Sequence, residues 1–164
     1  MKIIFLDIDG VLNNSTFFKS EECKACGTSI KRYFDPKCVQ VLNSITLETG
    51  AKIVVSSSWR ITRSLVQLQD LFKLIGITGK VYGKTQDLSL YETDSKNLRG
   101  LEIKDWITTN KKRIKTPIQY IILDDEDDFL TEQKQCFYKT NPDNGLNTKI
   151  KEKVIAFFLR SDFN

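Results

Sequence analysis

The chain has 164 residues, 40% of them hydrophobic and 28% charged, with a formal net charge of +4. Such a chain forms one globular domain and can bury a core without disulfide or metal staples. It has no histidine, which excludes Ser-His-Asp and Cys-His catalysis and every histidine metal site.

The elements follow in chain order. Lys2 to Asp7 is an apolar run ending in polar residues, the pattern of a strand buried on both faces. A polar, irregular stretch runs from about Asn13 to Phe34. Asp35-Pro36 has the form of an N-cap followed by proline at the first helical position. Cys38, Val41, Leu42 and Ile45 make the apolar stripe of that helix, and Gly50 follows its end. Ala51 to Ser56 repeats the buried-strand pattern. Leu65, Leu68, Leu71, Phe72 and Ile75 mark a helix stopped by Gly76, and a short strand is expected near Lys80 to Tyr82. Leu101 to Thr109 is a helix with Ile103, Trp106 and Ile107 turned inward. Gln119 to Leu123 is a third buried strand, ending in Asp124, and Phe137 to Lys139 is an edge strand. Ile150, Val154, Phe157 and Phe158 give a last amphipathic helix. This alternation predicts a parallel sheet with helices on both faces.

No apolar run approaches a membrane span, and aspartates interrupt the first one at once, unlike a signal peptide. A cytoplasmic location with reduced thiols is expected, and no membrane partner. Cys23 and Cys26 form a C-x-x-C with no second copy, and Cys38 lies on a helix stripe, so structural zinc at Cys23/Cys26 is not expected. The basic run Lys111, Lys112, Arg113, Lys115 has the character of a solvated helix end. Gly83-Lys84-Thr85 imitates the end of a phosphate-binding loop, but the glycine required five positions earlier is Thr78.

In open parallel sheets, ligands bind beyond the carboxyl ends of the strands. Asp7 ends the first strand, Ser56, Ser57 and Ser58 end the second, and Asp124 and Asp125 end the third. Asp7 and Asp9 share a side on an extended segment, and Gly10 allows a tight turn after them. Taken singly, each feature has an ordinary explanation: an Asx-turn, a helix cap, a solvated acidic cluster. Taken together, they gather carboxylates that repel by about 4 kcal/mol per pair at 4 Å in a dielectric near 20. Protons or a cation must relieve that repulsion, and an all-oxygen set suits Mg²⁺.

FLDIDGVLN resembles the first motif of the haloacid dehalogenase (HAD) superfamily, IVVSSSWR its second and IILDDEDD its fourth, in the family's order. The start D-G-V-L-N, the segment S-S-W-R and Gly145-Leu146 before the last helix are similar to a compact branch found in Swiss-army-knife RNA repair proteins. The resemblance implies a three-layer Rossmann-like fold in a single domain over 1–164, with no large cap and a small flap at about 13–34.

It also implies roles. Asp7 would be the nucleophile and a Mg²⁺ ligand. Asp9 would be the acid and base, with its carbonyl on the metal. Ser56 would bind a phosphoryl oxygen, with Ser57 beside it. Asp124 would hold the metal, with Asp125 or Asp128 completing the shell. Asp9 favours phosphate esters, since halide leaves without a proton. Arg99 is the first choice for the basic third motif, with Lys104 and Lys96 as alternatives. Arg60 beside Trp59 is a further candidate to reach phosphate, with a stacked structural arginine as the expected role.

The expected activity is Mg²⁺-dependent hydrolysis of a phosphate monoester through an aspartyl-phosphate. An open site suits phosphate on a macromolecule, a nucleic-acid end or a phosphoprotein, and admits a small-molecule phosphate. The alternative is a non-catalytic phosphate-binding or interaction module on the same fold.

Overall fold

The computed structural model describes residues 1–91 and 96–160. Five strands, β1 (Lys2–Leu6), β2 (Lys52–Val55), β3 (Val81–Lys84), β4 (Gln119–Asp124) and β5 (Phe137–Lys139), form one sheet in the order β3-β2-β1-β4-β5. Every pairing is parallel. Successive β1 side chains enter opposite cores, as a period of two requires. Ile4 and Leu6 pack with α3 (Pro36–Thr49), α4 (Leu65–Leu74) and α6 (Thr148–Arg160), while Ile3 and Phe5 pack with Ile103 and Trp106 of α5 (Leu98–Lys111). The result is a three-layer α/β fold with both sheet faces covered.

Local chemistry explains the clearest elements. Asp35 caps α3 through Lys37 N–H, Pro36 opens it, and Gly50 ends it at φ 67°. In α4, Ser64 and Gln67 form a reciprocal capping box.

Three local expectations are corrected. The stretch 13–34 is not irregular throughout: it holds α1 (Ser15–Phe18), capped by Asn14, and α2 (Glu21–Ala25), capped by Ser20, followed by a 3-10 turn at Ile30–Tyr33. Helices this short show no apolar period, so the caps were their one signal. The strand expected at Lys80 to Tyr82 lies at Val81–Lys84. Helix α5 begins at Leu98 rather than Leu101. Its N-cap, Asn97, is left-handed (φ 65°) and makes no side-chain cap. Asp128 from another part of the chain does that work, accepting Arg99 N–H at 3.4 Å on its carboxylate and Gly100 N–H at 3.1 Å on its carbonyl. A cap supplied across space leaves no mark in the local sequence.

The turn after β1 is buttressed by the segment after β5. Thr140 Oγ1 donates to the Gly10 carbonyl at 2.8 Å, and Leu146 N–H donates to the Val11 carbonyl at 2.9 Å. Gly145, at φ 63°, comes so close to Cys38 and Val11 that a Cβ would stand 2.7 Å from the Cys38 sulfur. Among the described residues, no helix is long and apolar enough to cross a membrane.

Candidate active site

Strand register assembles the site. Leu6 pairs with Val55 on one side and with Leu123 on the other. One residue further along, Ser56, Asp7 and Asp124 therefore stand abreast on three adjacent strands, on the face covered by α5. The ladder continues there: Ser56 N–H reaches the Leu6 carbonyl and Asp7 N–H the Leu123 carbonyl, each at 3.0 Å.

Carboxylate oxygens of Asp7, Asp124 and Asp125 lie within 4.8 Å of one another. Gly10 makes this possible: at φ 67°, its missing Cβ leaves the space that the Asp125 carboxyl fills. Asp128, the alternative to Asp125, is outside this group: its Oδ2 accepts from the start of α5, and its Oδ1 is buried without a hydrogen bond. Asp124 Oδ1 accepts Glu126 N–H at 3.0 Å, whereas its Oδ2 is buried without a hydrogen-bond partner. A buried carboxylate oxygen with no hydrogen bond, beside two further carboxylates, fits a hard divalent cation.

Arg99, in the first turn of α5, reaches into this cluster. Its Nη1 donates to Asp7 Oδ1 and to the Ser56 carbonyl, both at 2.9 Å, and lies 3.4 Å from Asp124 Oδ2. Burial alone would lower the guanidinium pKa, but Asp124 and Asp7 outweigh it and push it above its ordinary value. Burial raises the Asp7 carboxyl in spite of Arg99 and a hydrogen bond with Ser57. Burial and the neighbouring Asp7 push Asp124 up to about 7. One arginine is thus too little positive charge for these acids.

Asp9 stands apart from the cluster and is exposed. Asn13 Nδ2 donates to its Oδ1 at 2.8 Å and Trp59 Nε1 to its Oδ2 at 3.0 Å. Asn13 also accepts Gly10 N–H at 2.9 Å, tying the acid to the turn that carries it. Ser56 is wholly buried and its hydroxyl has no partner. Ser57 accepts the backbone N–H of Trp59 at 3.4 Å.

The pocket bounded by Asp7, Asp9, Ser58, Arg99, Asp124, Asp125 and Glu126 measures about 210 Å³. A larger groove of about 560 Å³ lies at the amino ends of the strands, lined by Ile107, Lys111 and Ile114 to Ile118. It collects no carboxylates, and the smaller pocket holds the chemistry.

Other expected residues lie elsewhere. Lys104 is exposed, 3.6 Å from Glu132, and does not reach the pocket. Lys96 is exposed on the turn before α5. Arg60 does not stack on Trp59: it is buried, ion-paired with the equally buried Glu102, and donates to the carbonyls of Ser56 (2.9 Å), Ser57 (3.0 Å) and Gln86 (3.3 Å). The arginine over the Trp59 ring is Arg63, at 4.7 Å. Glu102 escaped notice in the sequence because a lone acid inside a helix carries no pattern. Trp59 and Asn13 were visible only as members of S-S-W-R and D-G-V-L-N, with nothing to show that both would grip Asp9. Lys84, in the false phosphate-loop sequence, binds the carbonyls of Arg60 and Arg63 at 2.8 and 2.6 Å and so pins the loop after β2. Cys23 and Cys26 donate their thiols to backbone carbonyls of Arg32 and Glu22.

Residues 3–150 match the family described as the HAD domain in Swiss Army Knife RNA repair proteins. No curated protein and no solved structure matches the chain significantly.

Proposed function

The chain belongs to the family of HAD domains found in Swiss Army Knife RNA repair proteins, within a superfamily of phosphohydrolases, and from that membership and the pocket's geometry we propose that it is a Mg²⁺-dependent phosphatase acting through an aspartyl-phosphate. The observation that carries this reading is the cluster of Asp7, Asp124 and Asp125 with a buried, unpartnered oxygen, beside Arg99.

Asp7, Asp124 and Asp125 would hold Mg²⁺, with the Asp9 carbonyl as a further ligand. When bound, the cation supplies charge neutralisation and orientation of the phosphoryl oxygens. The Asp7 carboxylate attacks phosphorus, forming an acyl-phosphate bond as the ester P–O bond breaks. Asp9 gives its proton to the departing oxygen. It then takes a proton from water, whose oxygen attacks phosphorus, and inorganic phosphate leaves while Asp7 regains its carboxylate. Arg99 offers its guanidinium to the phosphoryl charge, and the unpartnered Ser56 hydroxyl donates to a phosphoryl oxygen. The Trp59 and Asn13 bonds hold Asp9 where the leaving oxygen must be. Arg60, paired to Glu102, fixes the two serine carbonyls from below and is a positioning residue.

Among the described residues, the segment between β1 and α3 forms only two short helices and a 3-10 turn, so the pocket is open to solvent. An open pocket suits a phosphate monoester on a macromolecule, a nucleic-acid end or a phosphoprotein. Hydrolysis of a generic aryl phosphate, measured with and without Mg²⁺ for the wild type and Asp7→Asn, tests the reading. Turnover that needs both the metal and Asp7 is expected. A folded wild type with no metal-dependent turnover would mean a phosphate-binding module instead.

A further inference from the structure

The basic run Lys111, Lys112, Arg113, Lys115 takes no part in the pocket that holds the chemistry. Helix α5 accounts for some of it. Lys111 ends the helix and Lys112 caps it, where they meet the negative end of its dipole, about half an elementary charge whose pull fades within one turn. Arg113 and Lys115 follow in excess of that need. All four side chains are exposed, and none has an ion-pair partner among the described residues. No Asp or Glu stands between Asp105 and Asp124 to neutralise them.

These cations border the apolar groove of about 560 Å³ at the amino ends of the strands. Ile114 forms its buried floor, packed in the core with Ile103 and Trp106. Ile107 and Ile118 lie half-buried on that core, and Lys111 and Lys115 line the groove with them. Its shape is fixed by the backbone: Ile114 N–H donates to the Asn110 carbonyl and Asn110 Nδ2 to the Trp106 carbonyl, each at 2.9 Å. An apolar recess rimmed by charge of one sign has the anatomy of a protein-docking surface. We propose that this groove docks an acidic segment of a partner protein, with an aliphatic side chain in the recess and carboxylates against Lys111 and Lys115. Charge complementarity selects the acidic segment. The lining selects protein over nucleic acid, since no aromatic ring is there for a base to stack on. It disfavours a lipid surface, which takes apolar side chains that project rather than a recess. Strand β1 separates the groove from the pocket by about 13 Å, so a docked partner leaves the pocket open.

The test is selection of a displayed random peptide library on the protein, followed by fluorescence anisotropy of the enriched peptides at low salt. Enriched sequences are expected to carry Asp or Glu on both sides of Leu, Ile or Val. Lys111→Glu combined with Lys115→Glu should weaken their binding about tenfold or more, and added salt should weaken binding to the wild type likewise. Ile107→Asn makes the recess polar and should weaken binding several-fold while leaving its salt dependence. Both lysines are exposed, so the charge-reversed protein stays informative if Ile107→Asn misfolds. Enriched peptides that lack acids, or that bind the charge-reversed protein as tightly, would overturn the proposal. Tighter binding of a labelled single-stranded oligonucleotide or of anionic vesicles, insensitive to Ile107→Asn, would also overturn it, because the cations would then be a plain anion patch. Self-association of the wild type that the charge reversal abolishes would assign the groove to a second copy and overturn it too. Hydrolysis of an aryl phosphate should be equal in the wild type and the charge-reversed protein, so the phosphatase reading stands or falls separately.

Discussion

Toward β4, Asp124 Oδ2 and Ser56 Oγ are buried without a hydrogen bond, and Asp7 and Asp124 share one arginine. Toward the flap, both oxygens of Asp9 accept well-formed hydrogen bonds, and the acid faces solvent. Deficits of this kind cost free energy unless a ligand removes them. The first flank is thus suited to hold an ion and a phosphoryl group, and the second to keep one carboxyl in place while the leaving group departs. A site can be incomplete and preorganised at once, provided the two properties sit on different residues.

Asp7→Asn is the strongest test of that division. Turnover should fall by about a thousandfold or more, yet the metal-free protein should melt no lower, since a buried, charge-crowded carboxyl is gone; a large drop in Tm would show that Asp7 stabilises the fold. Arg99→Ala should lower kcat/KM roughly a hundredfold, with Arg99→Lys recovering part of it. Equal activity in the alanine variant would mean that the guanidinium serves only as a resting counter-ion.

Beneath the crowded flank, Arg60→Met strands the Glu102 carboxylate and should cost about 3–5 kcal/mol in chemical denaturation. Adding Glu102→Leu should return most of that loss, and failure to do so would show that the bonds to the serine carbonyls matter more than the charge pair.

Metal and pH sharpen the contrast further. The carboxyls of Asp7 and Asp124, the latter at about 7, hold protons that an unfolded chain releases near the ordinary carboxylate range. Metal-free stability should therefore fall as pH rises through that interval, where the folded state binds more protons. Mg²⁺ competes with those protons, so the Tm gained on adding it should grow from about pH 5 to about pH 8. A gain independent of pH would remove these acids from the metal site.

The smallest effect is expected on the satisfied flank. Trp59→Phe keeps a ring but deletes the donor to Asp9, and kcat should drop by only several-fold, the worth of one hydrogen bond of about 0.5–1.5 kcal/mol.

Much of this molecule was legible before its structure. Ile3 to Leu6, Ile53 to Val55 and Ile121 to Leu123 are apolar on both faces, the pattern of a strand covered on both sides. Asp35, Pro36 and Gly50 bracketed α3 because capping acts between neighbours. The early start of α5 was hidden because Asp128 caps it from another part of the chain. That Arg63 rather than Arg60 lies over Trp59 was hidden too, since both flank the same loop and only burial separates them.

That acids and hydroxyls follow apolar strands is written in neighbouring residues, because hydrophobic periodicity and turn chemistry are local properties. Which of them meet is settled by long-range packing. Asp125 rather than Asp128 faces Asp7, and Arg99 rather than Lys104 enters the cluster. Those choices depend on the register between β1, β2 and β4 and on where α5 is anchored. Register and anchoring are set by packing between segments far apart in the chain, and no local pattern encodes them.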